Sequence, residues 1–266
     1  MQKKRIDEGL LERSLAKTRS EAKRLILEGF VLLNGSIVIK PSTPIEDGDV
    51  ISIKERPKYV SRGGIKLEFA LKKFNIDVKD FVTADIGAST GGFTDCLLQH
   101  GARKVYAVDV GYGQLDLRLR EDPRVTLIEN TNARYIKKEQ IPENLDLIVM
   151  DVSFISISKI VPHIKGFLKK DGQIVSLVKP QFEGERRFVK KGVVKDKELQ
   201  EKIITNLIDK INQSGQQVTS ITYSPIKGAK GNIEYFFLIK DSQVFVKPFD
   251  IHRIIEEIWE KQRLQK

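Results

Sequence analysis

With 266 residues, 40% of them hydrophobic, the chain has room for one large or two unequal domains and a substantial packed core. Lys plus Arg number 46 against 36 Asp plus Glu, and the resulting +10 favours a polyanionic partner, nucleic acid before anionic membrane. The single cysteine, Cys96, excludes an intrachain disulfide and suits a cytoplasmic setting. No apolar run approaches the ~20 residues of a transmembrane helix, and "MQKKR" leads into no apolar segment of a secretory signal.

From the N-terminus, "IDEGLLERSLAKTRSEAKRLILEG" has apolar residues at helical spacing with breaks that predict two short helices, Gly29 ending the second. "FVLLNGSIVIK" reads as a hairpin turning at Asn34-Gly35, and "PSTPIEDGDVISIKE" as turns followed by a last short strand. Arg5, Arg13, Lys17, Arg19, Lys23 and Arg24 cluster on the helices. A charge run alone fits an ordinary solvated face. The order of elements, however, resembles the S4 RNA-binding domain. That resemblance implies that Arg5, Arg19, Lys23 and Arg24 grip RNA backbone, with Arg62 counted beside them.

"RPKYVSRGG", from Arg56, is expected to be a linker, Pro57 interrupting regular structure and Gly63-Gly64 loosening the chain. The expected division is residues 1–56, a linker over 57–63, and a second domain over 64–266.

In the second domain "DIGASTGGFTDCLLQ", residues 85–99, joins a strand-like run to a helix-like one. Gly87 and Gly92 have P-loop spacing, but Phe93 stands where a lysine is required, and the G-x-G-x-x-G of dinucleotide binders is absent. Asp109 closes the next run, about the ~20 residues downstream at which a ribose-binding carboxylate is expected. Ribose without phosphate, beside an acidic loop, points to S-adenosylmethionine. The glycines alone also fit a tight strand-to-helix turn, with Asp109 a solvated strand end. The expected contacts are Asp85, Gly87, Ser89, Thr90, Gly91, Gly92, Phe93, Asp109, Val110, Asn132 and Asp151.

The runs "FVTADIG", "KVYAVDV", "VTLIEN", "LDLIVMDV", "QIVSLVK", "QVTSITYS" and "IEYFFLIK" alternate with helical stretches, which predicts an α/β fold with a parallel sheet. The last two are joined by "PIKGAKGN", too short for a crossover helix, so they should pair antiparallel. A seven-stranded mixed sheet of this kind resembles a class I, Rossmann-like methyltransferase. Ligands of such sheets sit at the carboxyl ends of the strands, near Asp85, Asp109 and Asp151.

Lys66, Asp151, Lys179 and Glu234 each lie beside a strand or at the entrance to the second domain, and charges there are rarely buried unpaired. Together "YVSRGGIKLEFAL", "DIGASTGGFTDCLL", "VDVGYGQLDLRLREDPRV", "TNAR", "MDVSFISI", "LVKPQFE", "KKGVVKD" and "GNIEYFF" resemble the TlyA, or haemolysin-A-like, family: an S4 domain fused to an FtsJ/RrmJ-like ribose methyltransferase. The resemblance implies 2′-O-methylation of ribosomal RNA, of cytidine in the large subunit, and in both subunits for the longer forms that this basic N-terminus resembles. It also implies a catalytic Lys66-Asp151-Lys179-Glu234 tetrad. "FEGERRFVKKG" is longer and more charged than the corresponding connection in relatives.

A ribose hydroxyl must shed its proton to attack a sulfonium methyl. Lys179 can serve as base if its ordinary pKa of ~10.4 falls by roughly 2 to 3, with Lys66 repelling its proton and the carboxylates orienting both amines. Alternatively, the lysines only stabilise charge and align the hydroxyl. The three histidines and Cys96 are scattered, so no metal is expected. Phe154 fits either base stacking or the core. The amphipathic "FDIHRIIEEIWEKQRLQK" is expected to pack on the sheet. A cytoplasmic monomer acting on ribosomal RNA or ribosomal subunits is the expectation. The alternatives are a non-catalytic RNA-binding assembly factor and a membrane-active haemolysin.

Overall fold

The computed structural model describes residues 4–54, 57–185, 189, 192–241 and 250–264. Residues 1–3, Arg56 of the expected linker, and Arg186, Arg187, Lys190 and Lys191 of the charged connection lie outside them. The chain forms two compact units, Met1–Lys58 and Tyr59–Lys266.

The first unit runs β1 (Lys4–Arg5), α1 (Ile6–Glu12), α2 (Arg19–Leu27), β2 (Val31–Leu33), β3 (Ser36–Val38), β4 (Pro44–Ile45) and β5 (Ile51–Ile53). Thr18 starts α2: its hydroxyl accepts from the Glu21 N–H at 3.1 Å, and the Glu21 carboxylate reaches back to the Lys17 N–H at 2.7 Å. This reciprocal capping satisfies two donors that a helix start otherwise leaves open. Asn34 (φ 51°) and Gly35 (φ 81°) make the tight turn between β2 and β3 that the dipeptide predicts. Ile6, Leu10, Ala22, Ile26 and Val31 are fully buried and give this unit its own core.

The second unit runs α3 (Arg62–Phe74), β6 (Val82–Ile86), α4 (Gly92–Gln99), β7 (Lys104–Val108), α5 (Leu117–Arg120), β8 (Val125–Ile128), β9 (Leu145–Met150), α6 (Val161–Ile164), β10 (Leu168–Val178), α7 (Pro180–Glu183), α8 (Lys197–Gln213), β11 (Gln216–Tyr223), β12 (Tyr235–Asp241) and α9 (Ile251–Leu264). Among the described residues its seven strands form one sheet in the order β11-β12-β10-β9-β6-β7-β8. From β10 to β8 the neighbours are parallel, while β12 runs antiparallel to both β10 and β11. Apolar residues cover both faces. Leu67, Leu71, Phe93 and Leu97 of α3 and α4 pack on one, and Ile204, Leu207, Ile255 and Ile258 of α8 and α9 on the other. The C-terminal helix thus packs as its amphipathic pattern predicts.

Gly63 and Gly64 do not loosen the chain. Both lie in the first turn of α3, where the Ser61 hydroxyl caps the Gly63 N–H at 3.3 Å. Their smallness is used for packing: a Cβ on Gly64 would stand 2.2 Å from Tyr59 Cγ, and one on Gly92 3.0 Å from Gly64 N. Helices α3 and α4 therefore approach to backbone contact, which no larger residue permits.

Candidate active site

The register of the sheet assembles the site. Strands β6, β9 and β10 end at one edge, with Ile86 paired to Met150 and Ser176 to Met150. On the antiparallel neighbour, Tyr235 pairs with Val178. Asp151 follows Met150, Lys179 follows Val178 and Glu234 precedes Tyr235. These three charges consequently project from neighbouring chain ends at the carboxyl edge of the parallel strands. Lys179 Nζ lies 2.6 Å from Asp151 Oδ1 and donates to Ser153 Oγ at 3.0 Å. Lys66, one turn into α3, pairs with Glu234 at 2.5 Å, their side chains 12% and 3% exposed. Two nearly buried cations, each matched by a carboxylate, satisfy the rule that charge is sequestered only when paired.

Beside them a cleft of about 370 Å³ is lined by Gly87, Ser89, Asp109, Asn132, Asp151 and Phe154, with Ile86, Val108, Val110, Gln114, Thr131 and Ile155 among the rest. Among the described residues no Lys, Arg or His lines it. Asp151 is matched by Lys179 at one end of the cleft, whereas Asp109 has no cation beside it among the lining residues, which suits a ligand that brings hydroxyls or positive charge and no phosphate. Gly87 (φ 84°) closes one wall, where a Cβ would stand 2.3 Å from the Asp151 carbonyl oxygen, so only glycine lets β6 and β9 come together there. Asp109 accepts the N–H groups of Ser89 and Gly111, each at 2.7 Å, which ties the loop after β6 to the end of β7. An ionised carboxylate has about four acceptor positions, so both oxygens can still receive ribose hydroxyls.

Asp85 is fully buried at the end of β6. Its Oδ2 accepts from the Thr94 N–H at 2.9 Å and the Thr94 hydroxyl at 2.7 Å, while Oδ1 has no hydrogen-bond partner. Burial pushes its pKa up to about 7 against the pull of Thr94.

Not every expected contact reaches the cleft. Asp85, fully buried, and Thr90 lie outside its lining, Gly91 packs against Leu115 and Leu119, Gly92 against α3, and Phe93 is core, 6.2 Å from the Phe236 ring. The second half of the glycine loop serves helix packing. Phe154, by contrast, is 89% exposed with φ 66°, not core. Gln114, Thr131 and Ser153 are cleft or tetrad neighbours that the sequence did not single out. Only their closeness to strand ends marks them.

Residues 59–240 match the FtsJ-like methyltransferase family and residues 4–51 the S4 domain. The chain belongs to the FtsJ-like methyltransferases. It is 50% identical to Hemolysin A of Brachyspira hyodysenteriae over 233 residues, 87% of this chain and 97% of that one. It is 40% identical to the 16S/23S rRNA (cytidine-2′-O)-methyltransferase TlyA of Mycobacterium tuberculosis over 262 residues, 95% of this chain and 97% of that one. A solved Streptococcus thermophilus structure, also under a hemolysin name, superposes with TM-score 0.79 at 39% identity and covers 99% of each chain. In this FtsJ-like methyltransferase, no helix among the described residues is long and apolar enough to cross a membrane.

Within the S4 unit, Arg5, Arg19 and Lys23 line one hollow of about 230 Å³ together with Asp7 and Glu8. Arg5 grips Asp7 through both carboxylate oxygens at 2.9 and 2.8 Å and holds its pKa down. Arg24 is half-buried and lies outside that hollow, and Arg62 is exposed at the start of α3 in the other unit. Arg13 instead donates to the Asp49 carbonyl at 2.7 Å, a structural use.

Proposed function

We propose that this FtsJ-like methyltransferase transfers a methyl group from S-adenosylmethionine to a cytidine ribose 2′-hydroxyl of ribosomal RNA, residues 1–56 holding RNA and residues 64–266 carrying the chemistry. One observation carries the reading: the strand register brings the Lys179-Asp151 and Lys66-Glu234 pairs to one sheet edge, at the end of a cleft lined by Asp109 and Asp151. The name of the Mycobacterium tuberculosis relative supports the acceptor.

When bound, S-adenosylmethionine supplies an electrophilic sulfonium methyl. Asp109 receives ribose hydroxyls of the donor, Gly87 and Ser89 line its path, and Asn132 and Val110 flank the base side. Asp109 and Asp151, which line the cleft, balance positive charge, with Asp85 buried behind the loop. Lys179 Nζ, aligned by Asp151 and Ser153, accepts or steadies the proton that the RNA hydroxyl gives up as its oxygen forms the new bond. Lys66, fixed by Glu234, adds positive potential at the same edge and stabilises the developing alkoxide. Phe154 offers an exposed ring on which the flipped target base stacks.

Mapping 2′-O-methylation across ribosomal RNA from cells with and without the protein tests the reading. A cytidine that loses its methyl in the deletion, and regains it with purified protein and donor, is the expected result. Unchanged maps together with RNA binding would instead identify a non-catalytic assembly factor.

A further inference from the structure

The short helix after Lys179 meets the loop after Asp151 at three successive points. Lys179 pairs with Asp151 and donates to Ser153, the Phe182 ring lies 4.8 Å from the Phe154 ring, and Glu183 Oε1 accepts the Ile157 N–H at 3.0 Å. Positions 179, 182 and 183 thus follow 151, 154 and 157 in order, so α7 lies along the loop as a splint. That loop needs one. Phe154 has a left-handed backbone that bulky residues avoid, and with 89% of its surface exposed no burial of its own fixes it. The splint is itself anchored, since α7 packs on α8 so closely that a Cβ on Gly184 would stand 2.7 Å from Ile203 Cδ1. Glu183 does not line the cleft. Burial pushes its carboxyl up, while Ser156 and the Ile157 amide pull it down.

We propose that Glu183 is a positioning residue for methyl transfer: by holding the Ile157 N–H it fixes the 151–157 loop, and with it the Phe154 ring that receives the target base. The activity side of this inference rests on the ribosomal RNA reading above. The ordering of the loop does not.

Glu183→Ala and Glu183→Gln in the full chain separate the two. In the free protein, hydrogen exchange over residues 151–158 should be roughly tenfold faster in Glu183→Ala, the scale of one lost hydrogen bond, with β7 protection unchanged as a control for folding. Glu183→Gln, whose amide oxygen still accepts from Ile157, should stay within about threefold of the parent. Single-turnover transfer to ribosomal subunits at saturating donor should follow the same order. The Glu183→Ala/Phe154→Ala double variant should be no slower than the slower single, because both act through one loop. Unchanged exchange in Glu183→Ala overturns the inference whatever the activity, as do equal losses in the Ala and Gln variants or rate losses that multiply. If the parent protein transfers no methyl to subunits, the functional reading fails while the exchange measurements still decide the splint.

Discussion

Lys179 is the side chain whose loss should be felt most. It stands at the end of β10 with Asp151 and Ser153 as its partners, and it supports neither hydrophobic face of the sheet. We expect Lys179→Ala to keep its melting temperature and donor affinity nearly unchanged while single-turnover transfer falls ~10² to 10⁴-fold, the usual range for a positioned proton-transfer group. Lys66→Ala should lose less. Asp85 gives the opposite pattern, a residue whose chemistry works against stability. Its carboxyl titrates near ~3.9 in an unfolded chain but at about 7 in the fold. Between those values the folded protein keeps a proton that the unfolded chain has lost, so stability declines as pH rises through the window and is lowest above it. Asp85→Asn should therefore melt higher than the parent at pH 8, with the difference vanishing near pH 4, and should bind the donor more weakly. Melting curves across pH beside calorimetry of donor binding check both halves. A parent-like melting point at pH 8 would mean that Asp85 carries no burial penalty.

At the scale of elements, α2 carries Arg19 and Lys23 on its exposed side, facing the hollow that Arg5 shares. Replacing Arg19, Lys23 and Arg24 together should weaken RNA binding and flatten its dependence on salt, since each lost phosphate contact removes about 0.7 to 0.9 from the logarithmic slope. Filter binding at several salt concentrations reads this, and an unchanged slope would mean that the face is merely solvated. Most elements were legible because their signals are local. Asn34-Gly35 specifies its own turn, Thr18 and Glu21 cap their own helix, and apolar runs such as "DLIVM" fit strands covered on both faces. What escaped was set by distant neighbours. Gly63 and Gly64 resemble a flexible link until Tyr59 and Gly92 are seen against them. Likewise, Gly91 to Phe93 resemble ligand contacts until α3 and α5 claim them. The four tetrad positions came through the family resemblance, for no spacing along the chain reveals that residues 168 apart, Lys66 and Glu234, form one ion pair.

For the whole molecule, the separate cores of residues 1–58 and 59–266 carry a direct expectation. The cleft is lined entirely from the second unit. The isolated 59–266 segment should therefore bind S-adenosylmethionine by calorimetry, and Asp109→Ala in that segment should bind far more weakly. Equal binding by both would remove Asp109 from the site, and failure of the folded segment to bind would require a contribution from the first unit. Another consequence concerns biosynthesis. Strand β12 is made after β11 yet enters the sheet between β11 and β10, bringing Glu234 with it. A nascent chain that has emerged only through β11 holds all the described cleft-lining residues but leaves β10 with an unpaired edge and Lys66 without its carboxylate. Closing so long a loop is slow relative to local folding. The Lys66-Glu234 pair is thus completed in one late step of synthesis, and a chain released before β12 would hold the cleft and the Lys179-Asp151 pair without it.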